Sequence, residues 1–407
     1  MRINKLNTKI LLFASIAFLK AGASSAQDAG GNTDIAKQVA ALQPGDGHFM
    51  VAGLATFGFV NQSTTNTLGG VSTKNKMNSL GDADRFEFSP MFLWRHGDKM
   101  LMEFEPSWDG NSAGGIGVNW ASISYFAAPN FIVRGGYIVL PFGTYTKRLA
   151  AGWINKLPSD PIGVDVAGSD FGVEAEGGLA LGSMKCSYDL AVTNGFQLNP
   201  DGTTANVGIS SFNRGKTVCG RFGWLPLSNS SLEFGVSGLM GSLATPLADS
   251  NVYNKPTITM YAGDINFVQN ISPFMINLKG QYTFSSVNSQ NYNNPDITQP
   301  KYTFTNNTSS YFGQIAIRPT QIKNRVLNKL ELAFRYTNYV SPKNSTWGQN
   351  YKEMDVSLNY WLSWRSVVKL GYENITSDGT TNLTNSTGID GSSTSINRLV
   401  IQFSTEF

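Results

Sequence analysis

Residues 274–284 read Phe-Met-Ile-Asn-Leu-Lys-Gly-Gln-Tyr-Thr-Phe, and the class of the fold follows from this stretch. Phe274, Ile276 and Leu278 fall on one side of it, and polar residues such as Lys279 fall on the other. A repeat of two residues belongs to a β-strand, whose successive side chains point to opposite faces. The stretch is therefore predicted to form a strand with one apolar face and one polar face.

The same alternation recurs from residue 48 to the end of the chain. About sixteen segments show this pattern, and most are about ten residues long, which is enough to cross a bilayer at a tilt. The predicted strands are 48–61, 85–95, 99–109, 117–127, 130–140, 170–181, 184–194, 215–225, 231–243, 256–269, 273–286, 309–319, 328–339, 351–362, 365–375 and 396–407.

The connections between these segments alternate between long and short. Long polar stretches such as 62–84, 287–308 and 376–395 are separated by tight turns such as Gly182–Ser183. Outer-membrane barrels have long extracellular loops and short periplasmic turns. An even number of strands also leaves both ends of the barrel on the periplasmic side, where an exported chain starts.

The N-terminus has the layout of a secretory signal. Arg2, Lys5 and Lys9 give a positive start, and residues 10–19 form a short apolar run. That run is too short for a transmembrane helix, which needs about 20 residues. Small residues before the predicted cleavage point, after Ala26, fit the rule for signal peptidase.

We therefore expect three parts: a signal peptide over 1–26, a short periplasmic N-terminal segment over 27–47, and a transmembrane β-barrel over 48–407 in the outer membrane. Hydrocarbon offers no partner to backbone groups, so a membrane sheet must close on itself. The predicted fold class is all-β, a closed antiparallel barrel of about 16 strands, within a range of about 14 to 18. A barrel of this width can hold an aqueous channel, whereas about eight strands fill with side chains.

Tryptophans lie near the ends of several predicted strands. Their rings are apolar with one polar edge and prefer the two membrane interfaces, so they are predicted to form girdles there. The tryptophans concerned are Trp94, Trp108, Trp120, Trp224, Trp361 and Trp364.

The chain ends in Arg398-Leu-Val-Ile-Gln-Phe-Ser-Thr-Glu-Phe407, which alternates like the other predicted strands. A terminal phenylalanine on such a strand resembles the signal that the outer-membrane barrel assembly machinery reads. We therefore expect Phe407 to contact that machinery and the finished barrel to contact outer-membrane lipids.

Composition and histidine placement argue against several functions. Lys and Arg number 31 against 28 Asp and Glu, so the clustered basic face that a nucleic-acid partner needs is not expected. The only histidines, His48 and His96, fall at the start of a strand and in a predicted periplasmic turn, away from an outer-leaflet catalytic site. Since the sequence has no Cys/His cluster, we predict no catalytic residue, no cofactor, no metal site and no enzymatic activity.

A resemblance to a known family rests on the middle of the first half. Residues 134–143, Arg-Gly-Gly-Tyr-Ile-Val-Leu-Pro-Phe-Gly, resemble the strand-to-loop segment of the phosphate-selective porin O and P family. Trp153-Ile-Asn-Lys-Leu-Pro158 and Asn194-Gly195 also look like relatives of that family. The resemblance covers residues 85–200 and, more weakly, the last strands. It implies a water-filled barrel, often a trimer, with an inward-folded loop after the fifth strand.

By our strand count, the 141–169 loop follows the fifth strand and would constrict the pore. Its candidate constriction residues are Lys147, Arg148, Lys156, Asp160 and Asp165. The candidate pore-lining residues are Arg134, Glu103, Glu105, Glu174, Glu176, Arg221, Lys279, Glu331 and Arg335. Phosphate selectivity needs a dense ladder of basic side chains, because basic rings select anions. The mixed signs here favour a polar diffusion pore.

The predicted function is therefore that of an outer-membrane porin, a water-filled channel for passive diffusion of small hydrophilic solutes or ions. A homotrimer is the expected assembly. One alternative is a surface adhesin or receptor acting through the long outer loops. Another is a transporter of hydrophobic compounds, which would need a lumen plug that the short N-terminal segment does not supply. A wide lumen would favour the porin, and an occluded one the receptor.

Overall fold

The computed structural model describes most of the chain from Gly47 onward. The described residues are 47–80, 86–109, 115–165, 167–206, 216–244, 256–288, 291–292, 300–380 and 391–407. The predicted signal peptide and the predicted N-terminal segment, except for Gly47, lie outside them and stay predictions.

The described residues are almost entirely strands, joined by turns and loops. The strands are β1 (Gly47–Leu68), β2 (Val71–Leu80), β3 (Phe86–His96), β4 (Met100–Asp109), β5 (Gly117–Ala128), β6 (Phe131–Val139), β7 (Ser169–Leu181), β8 (Met184–Thr193), β9 (Phe196–Leu198), β10 (Thr204–Asn206), β11 (Thr217–Leu225), β12 (Leu232–Ser242), β13 (Thr257–Ile271), β14 (Phe274–Val287), β15 (Asn291–Tyr292), β16 (Tyr302–Thr303), β17 (Asn306–Arg318), β18 (Leu330–Val340), β19 (Gln349–Trp361), β20 (Ser366–Gly379) and β21 (Ser393–Glu406). A one-turn helix, α1 (Tyr145–Arg148), and a 3₁₀ turn (Leu327–Lys329) accompany them. No helix in these ranges is long and apolar enough to cross a membrane.

Sixteen of the strands close into one antiparallel barrel. Neighbours along the wall follow the chain from β1 through β3–β8, β11–β14 and β17–β21. The last strand, β21, then pairs with β1 from Leu54↔Glu406 to Thr67↔Ser393. The predicted fold class is confirmed, and each predicted strand overlaps one strand of the barrel.

The largest difference from the predicted strand boundaries lies in the first outer connection. Residues 62–84 were predicted as a polar loop, but β1 continues to Leu68 and pairs with β2 through a turn at Gly69–Gly70. This stretch is rich in Thr, whose β-branched side chain suits a strand even where both faces are polar. Polarity alone therefore misidentified an extended hairpin as a loop.

The barrel has its apolar residues outside and its polar residues inside. On β18, the outward Leu332 and Phe334 are 56% and 41% exposed, whereas the inward Glu331 and Arg335 are 1% and 0% exposed. An apolar outer face of closed strands suits hydrocarbon, where every backbone group must be paired within the wall. The chain is therefore an outer-membrane barrel, as its sequence predicts.

The tryptophans follow the predicted girdles only in part. Trp94 and Trp224 are exposed on the outer face, close to the periplasmic ends of their strands. Trp120 instead donates a hydrogen bond to the inward Ser122 at 2.7 Å, and Trp361 is buried at 3% exposure. Trp120 lies two residues from the inward Ser122 and pairs with the inward Glu105, so regular alternation places it on the inner face.

The C-terminal residue takes part in closing the barrel. The backbone N–H of Gly53 donates to the carbonyl of Phe407, and the N–H of Phe407 donates to the carbonyl of Gly53, each at 3.0 Å. The Phe407 ring also stacks on Phe88, with centroids 5.8 Å apart. Recognition of Phe407 by the assembly machinery stays a prediction.

Parts of the outer loops fold into the extracellular mouth. Phe196 and Leu198 on β9, together with Tyr292 on β15, are almost completely buried. They form one apolar cluster with inward side chains of the wall such as Leu239 and Met260. The upper lumen beside β11–β14 is therefore filled by the protein's own loops.

The backbone conformation at position 136, within the Arg-Gly-Gly-Tyr motif, requires a glycine. Its φ is +139°, and a Cβ placed there would lie 2.2 Å from the carbonyl oxygen of Ala121 on β5. We expect Gly136→Ala to lower the free energy of unfolding by at least about 1–3 kcal/mol, because the strained dihedral and the clash both fall on the folded state.

The measurement is urea unfolding of the refolded barrel, followed by tryptophan fluorescence. Gly238→Ala on β12 is the matched control, because nothing lies within 4 Å of a Cβ built there. Equal stability of the two variants would contradict the role given to Gly136.

Candidate functional site

The loop of residues 140–168, here called the inward loop, leaves β6 and folds into the barrel before it enters β7. It follows the fifth strand of the barrel wall, at the place that the sequence predicts. Gln281 on β14 accepts hydrogen bonds from the backbone N–H groups of Thr144 and Tyr145, at 2.9 and 3.1 Å. A side chain of the opposite wall thus satisfies the free N–H groups at the start of α1.

Six consecutive wall strands each supply one hydrogen-bond donor to the backbone of the inward loop. We call these six side chains the donor strip. They are Lys279 to the carbonyl of Ile154 (3.2 Å), Ser310 to Ile162 (2.7 Å), Arg335 to Ser159 (2.8 Å), Asn359 to Lys156 (2.9 Å), Lys369 to Leu157 (3.0 Å) and Gln402 to Pro158 (3.2 Å). The loop lacks regular secondary structure here, so the wall supplies the partners that its carbonyl groups need.

Apolar contacts hold the same loop at several heights in the barrel. Leu157 is fully buried against small side chains of β17 and β18, and burial of a leucine side chain contributes roughly 1.5–3 kcal/mol. Lower down, Trp153 packs with Trp361 and Val367 and meets Trp364 edge-on, with ring centroids 6.5 Å apart. Since Trp364 lies in a short turn, the loop reaches the periplasmic end of the barrel.

The first part of the loop carries two cations into a belt of carboxylates. Lys147 contacts Glu174 and lies 3.3 Å from Glu176 and 3.6 Å from Asp189. Arg148 lies 2.9 Å from Glu233 on β12. The loop is therefore fastened to this wall by ion pairs.

Two wall arginines complete this belt, here called the charge belt. Arg134 lies 2.7 Å from Glu174 and 2.8 Å from Glu176. Arg221 lies 2.6 Å from Asp264 and 2.9 Å from Glu233. Buried charges are tolerated when they are paired and hydrogen-bonded. The charges of the belt are paired with one another in this way.

The carboxylates of Glu174, Glu176 and Asp189 approach one another as they would around a metal ion. The ammonium group of Lys147 contacts all three. Burial alone would lower the pKa of Lys147, but the carboxylates outweigh it and raise that pKa. The cluster is thus arranged around a cation that the protein itself supplies.

The second part of the loop lies against β18 and β19, where an arginine of the wall is paired with acidic side chains. Arg335 lies 2.7 Å from Asp355 and 3.6 Å from Glu353. Lys156, on the loop, lies 3.7 Å from Glu331 and 4.4 Å from the ring centre of Trp361. Burial lowers the pKa of Lys156, and this single carboxylate offsets the shift only in part.

The inner face of β3–β5, here called the side wall, differs from the strands that bond to the inward loop. Its side chains bond to one another: Ser89 donates to Glu87 at 2.7 Å, and Asn119 donates to Glu105 at 3.2 Å. Glu87 and Glu105 are partly exposed although they point into the barrel. Partial exposure of inward carboxylates indicates that water reaches this side of the lumen.

The predicted constriction residues fall into two groups. Lys147, Arg148, Lys156 and Asp160 lie on the part of the loop inside the barrel, the first three in the ion pairs described above and Asp160 exposed. Asp165 is also exposed, and accepts from the Thr146 hydroxyl at 2.9 Å and the Gly168 N–H at 3.2 Å, so it closes the base of the loop.

The predicted pore-lining residues all lie on the inner face but in three settings. Arg134, Glu174, Glu176 and Arg221 belong to the charge belt; Lys279, Glu331 and Arg335 lie beneath the inward loop; Glu103 and Glu105 belong to the side wall. Their part in conduction stays a prediction.

Several residues of the lumen were missed at the level of sequence. Glu353 and Asp355 are buried partners of Arg335, and Gln281 holds the start of α1. Their signal is alternation: Glu353 and Asp355 fall between outward residues such as Met354 of β19. Which inward residues meet one another depends on the course of the loop, which alternation does not reveal.

Comparisons with known proteins fit this geometry. A scan against protein-family models finds no match, and a search of the curated proteins also finds none. Among solved structures, the fold is similar to an anion-selective porin from Comamonas acidovorans, with 12% identity, a TM-score of 0.53, and coverage of 89% of this chain and 100% of that one. The outer-membrane channel DcaP of Acinetobacter baumannii has 11% identity, a TM-score of 0.54 and coverage of 90% and 100%.

Salmonella typhi OmpF, solved in complex with daunomycin, has 8% identity, a TM-score of 0.50 and coverage of 88% and 97%. At such identities the likeness concerns the fold. The narrower resemblance to the phosphate-selective porin O and P family gains no support from these structures. This chain has the closed sixteen-stranded barrel fold of outer-membrane porins.

Proposed function

We propose that this chain forms an outer-membrane channel through which small hydrophilic solutes or ions diffuse passively. The observation that supports this most directly is the partial exposure of Glu87 and Glu105 on the inner face of a closed barrel. A carboxylate inside a membrane barrel is stable in its charged form only where water or a partner reaches it. Partly exposed carboxylates beside the inward loop support a narrow aqueous path.

The inward loop has the properties of a constriction. It is fixed by the donor strip, by the charge belt and by apolar contacts, and its Asp160 is exposed inside the barrel. A lumen packed solid by this loop would leave Asp160 buried. The path is therefore narrow, and the channel is expected to pass small solutes and to exclude large ones.

The partners proposed for this channel are outer-membrane lipids, small hydrophilic solutes and two further copies of the chain in a homotrimer. The apolar outer face of the barrel suits contact with either lipid or a second barrel. Chemical crosslinking of the protein in outer-membrane vesicles would distinguish a trimer from a monomer.

A surface adhesin or receptor is the second candidate. One observation favours it: the β1–β2 hairpin extends beyond the outer end of β3, and almost all side chains of β2 are exposed. The inward folding of β9 and β15 argues against a receptor, because it removes parts of two outer loops from the surface.

The test is single-channel recording of the refolded mature protein in a planar bilayer. Stable ohmic steps are expected, because the aqueous path is part of the folded structure. A folded and inserted protein that gives no steps would overturn the channel and favour the receptor.

A further inference from the structure

The contacts of the inward loop locate the open part of the lumen. Its hydrogen bonds and ion pairs reach β7, β8, β12, β14 and β17–β21, which is most of the circumference. The inner side chains of β3–β5 bond to one another, and the carboxylates among them, Glu87, Glu103 and Glu105, remain partly exposed. A solute that crosses the barrel must therefore travel between the loop and the side wall.

Two strands of this wall carry carboxylates. Glu87 lies on β3, and Glu103 and Glu105 are spaced two residues apart on β4, which is about 6.6 Å along a strand. Their closest hydrogen-bond partners are neutral: Ser89 for Glu87, Ser122 for Glu103, and Asn119 for Glu105.

Two arginines lie on or beside this wall. Arg95, at the periplasmic end of the inner face of β3, pairs with Asp98 at 3.4 Å. Arg134 approaches Glu103 at 3.8 Å, but it is already engaged by Glu174 and Glu176. Glu87 and Glu105 form no ion pair with any residue that the structure describes. The charge of the side wall is therefore negative.

The opposite side of the path carries a carboxylate as well. Asp160 is exposed on the inward loop, and its charge repels that of Glu87. Acidic groups thus face each other from two separate elements of the fold.

The other charged side chains of the lumen do not neutralise the carboxylates along the path. Those of the charge belt are paired with one another. Lys279 and Lys369 are 3% and 1% exposed, and their ammonium groups donate to carbonyls of the inward loop. The loop therefore stands between these lysines and the path.

We propose that the channel prefers small cations over anions, and that Glu87, Glu103 and Glu105 are its specificity-determining residues. This inference rests on the proposed channel function. No single binding site is implied. Carboxylates that face water along a narrow path raise the local concentration of cations and repel anions.

The test is the reversal potential of single channels in a KCl gradient, because K⁺ and Cl⁻ have similar mobilities in water. The wild-type protein is expected to show a K⁺ preference. Glu87→Gln combined with Glu105→Gln should reduce the K⁺/Cl⁻ permeability ratio severalfold, with conductance kept. Asp378→Asn, a change of one charge at an exposed position at the outer end of β20, is the control and should leave the ratio unchanged.

The outcomes separate this inference from the channel itself. Ohmic steps with an anion preference, or a ratio that the glutamine variants do not move, would overturn cation selectivity and leave the channel in place. Absence of steps from folded protein would remove the channel function first.

Discussion

Excision of residues 150–160, with the cut ends joined by a short Gly-Ser linker, is expected to raise single-channel conductance severalfold. This segment crosses the lumen and lies against β14 and β18–β21 through the donor strip. Its removal leaves a sixteen-stranded barrel, and a barrel of that size encloses an aqueous channel wide enough for solutes. Single-channel recording in symmetric KCl measures the effect directly.

A matched control removes chain of similar length outside the lumen. Replacing residues 64–75 by Gly-Gly shortens the β1–β2 hairpin at its outer end and removes only the last four pairs between β1 and β21. That variant should keep the wild-type conductance. If the loop-excised protein were folded and conducted no more than the hairpin-shortened protein, the inward loop would not be the constriction.

Arg335→Met is expected to lower the free energy of unfolding by about 3–5 kcal/mol, because it breaks a buried ion pair by removing one partner. Arg335 is completely buried and contacts both Asp355 and Glu353. It also donates to the carbonyl of Ser159 at 2.8 Å and to its hydroxyl at 2.6 Å. The substitution leaves two buried carboxylates without a cation and releases the loop at this point.

Urea unfolding of the refolded barrel measures this change, and two variants make the result specific. Arg95→Met breaks a pair with an exposed aspartate in a turn, where the loss should stay below about 1 kcal/mol. Arg335→Met combined with Glu353→Gln and Asp355→Asn should recover part of the stability, because the unpaired charges disappear with the arginine. Equal losses in Arg335→Met and Arg95→Met would refute this account.

Local alternation predicts much of this fold, because a strand's inward and outward faces are set by neighbouring residues. The inward face of Arg335 follows from its position between Phe334 and Tyr336, with no knowledge of distant strands. Closure follows from the requirement that backbone groups in hydrocarbon be paired. The resemblance to a porin family implies an inward-folded loop after the fifth strand, and the strand count then identifies which loop this is.

The candidate site is built from contacts between residues that are far apart in the sequence, and local patterns do not predict such contacts. The position of Lys147 among Glu174, Glu176 and Asp189 results from the path of the loop inside the barrel, and no repeat in the sequence specifies that path. Trp120 lies near the end of its strand, which predicts an interface girdle, but its two-residue spacing from the inward Ser122 turns it into the lumen. A polar hairpin was missed because strand formation there depends on backbone pairing and Thr propensity, while apolar alternation was the signal sought.

The donor strip sets an order of events for assembly. Segment 154–159 lies in the first half of the chain, but its partners include Lys279 and Gln402, which are 125 and 244 residues away from the carbonyls they bond. Contacts of such separation form only after the intervening chain is in place. The loop can bond to the last strand only after that strand is in place, so its final position, and with it the final width of the proposed channel, is set late in assembly.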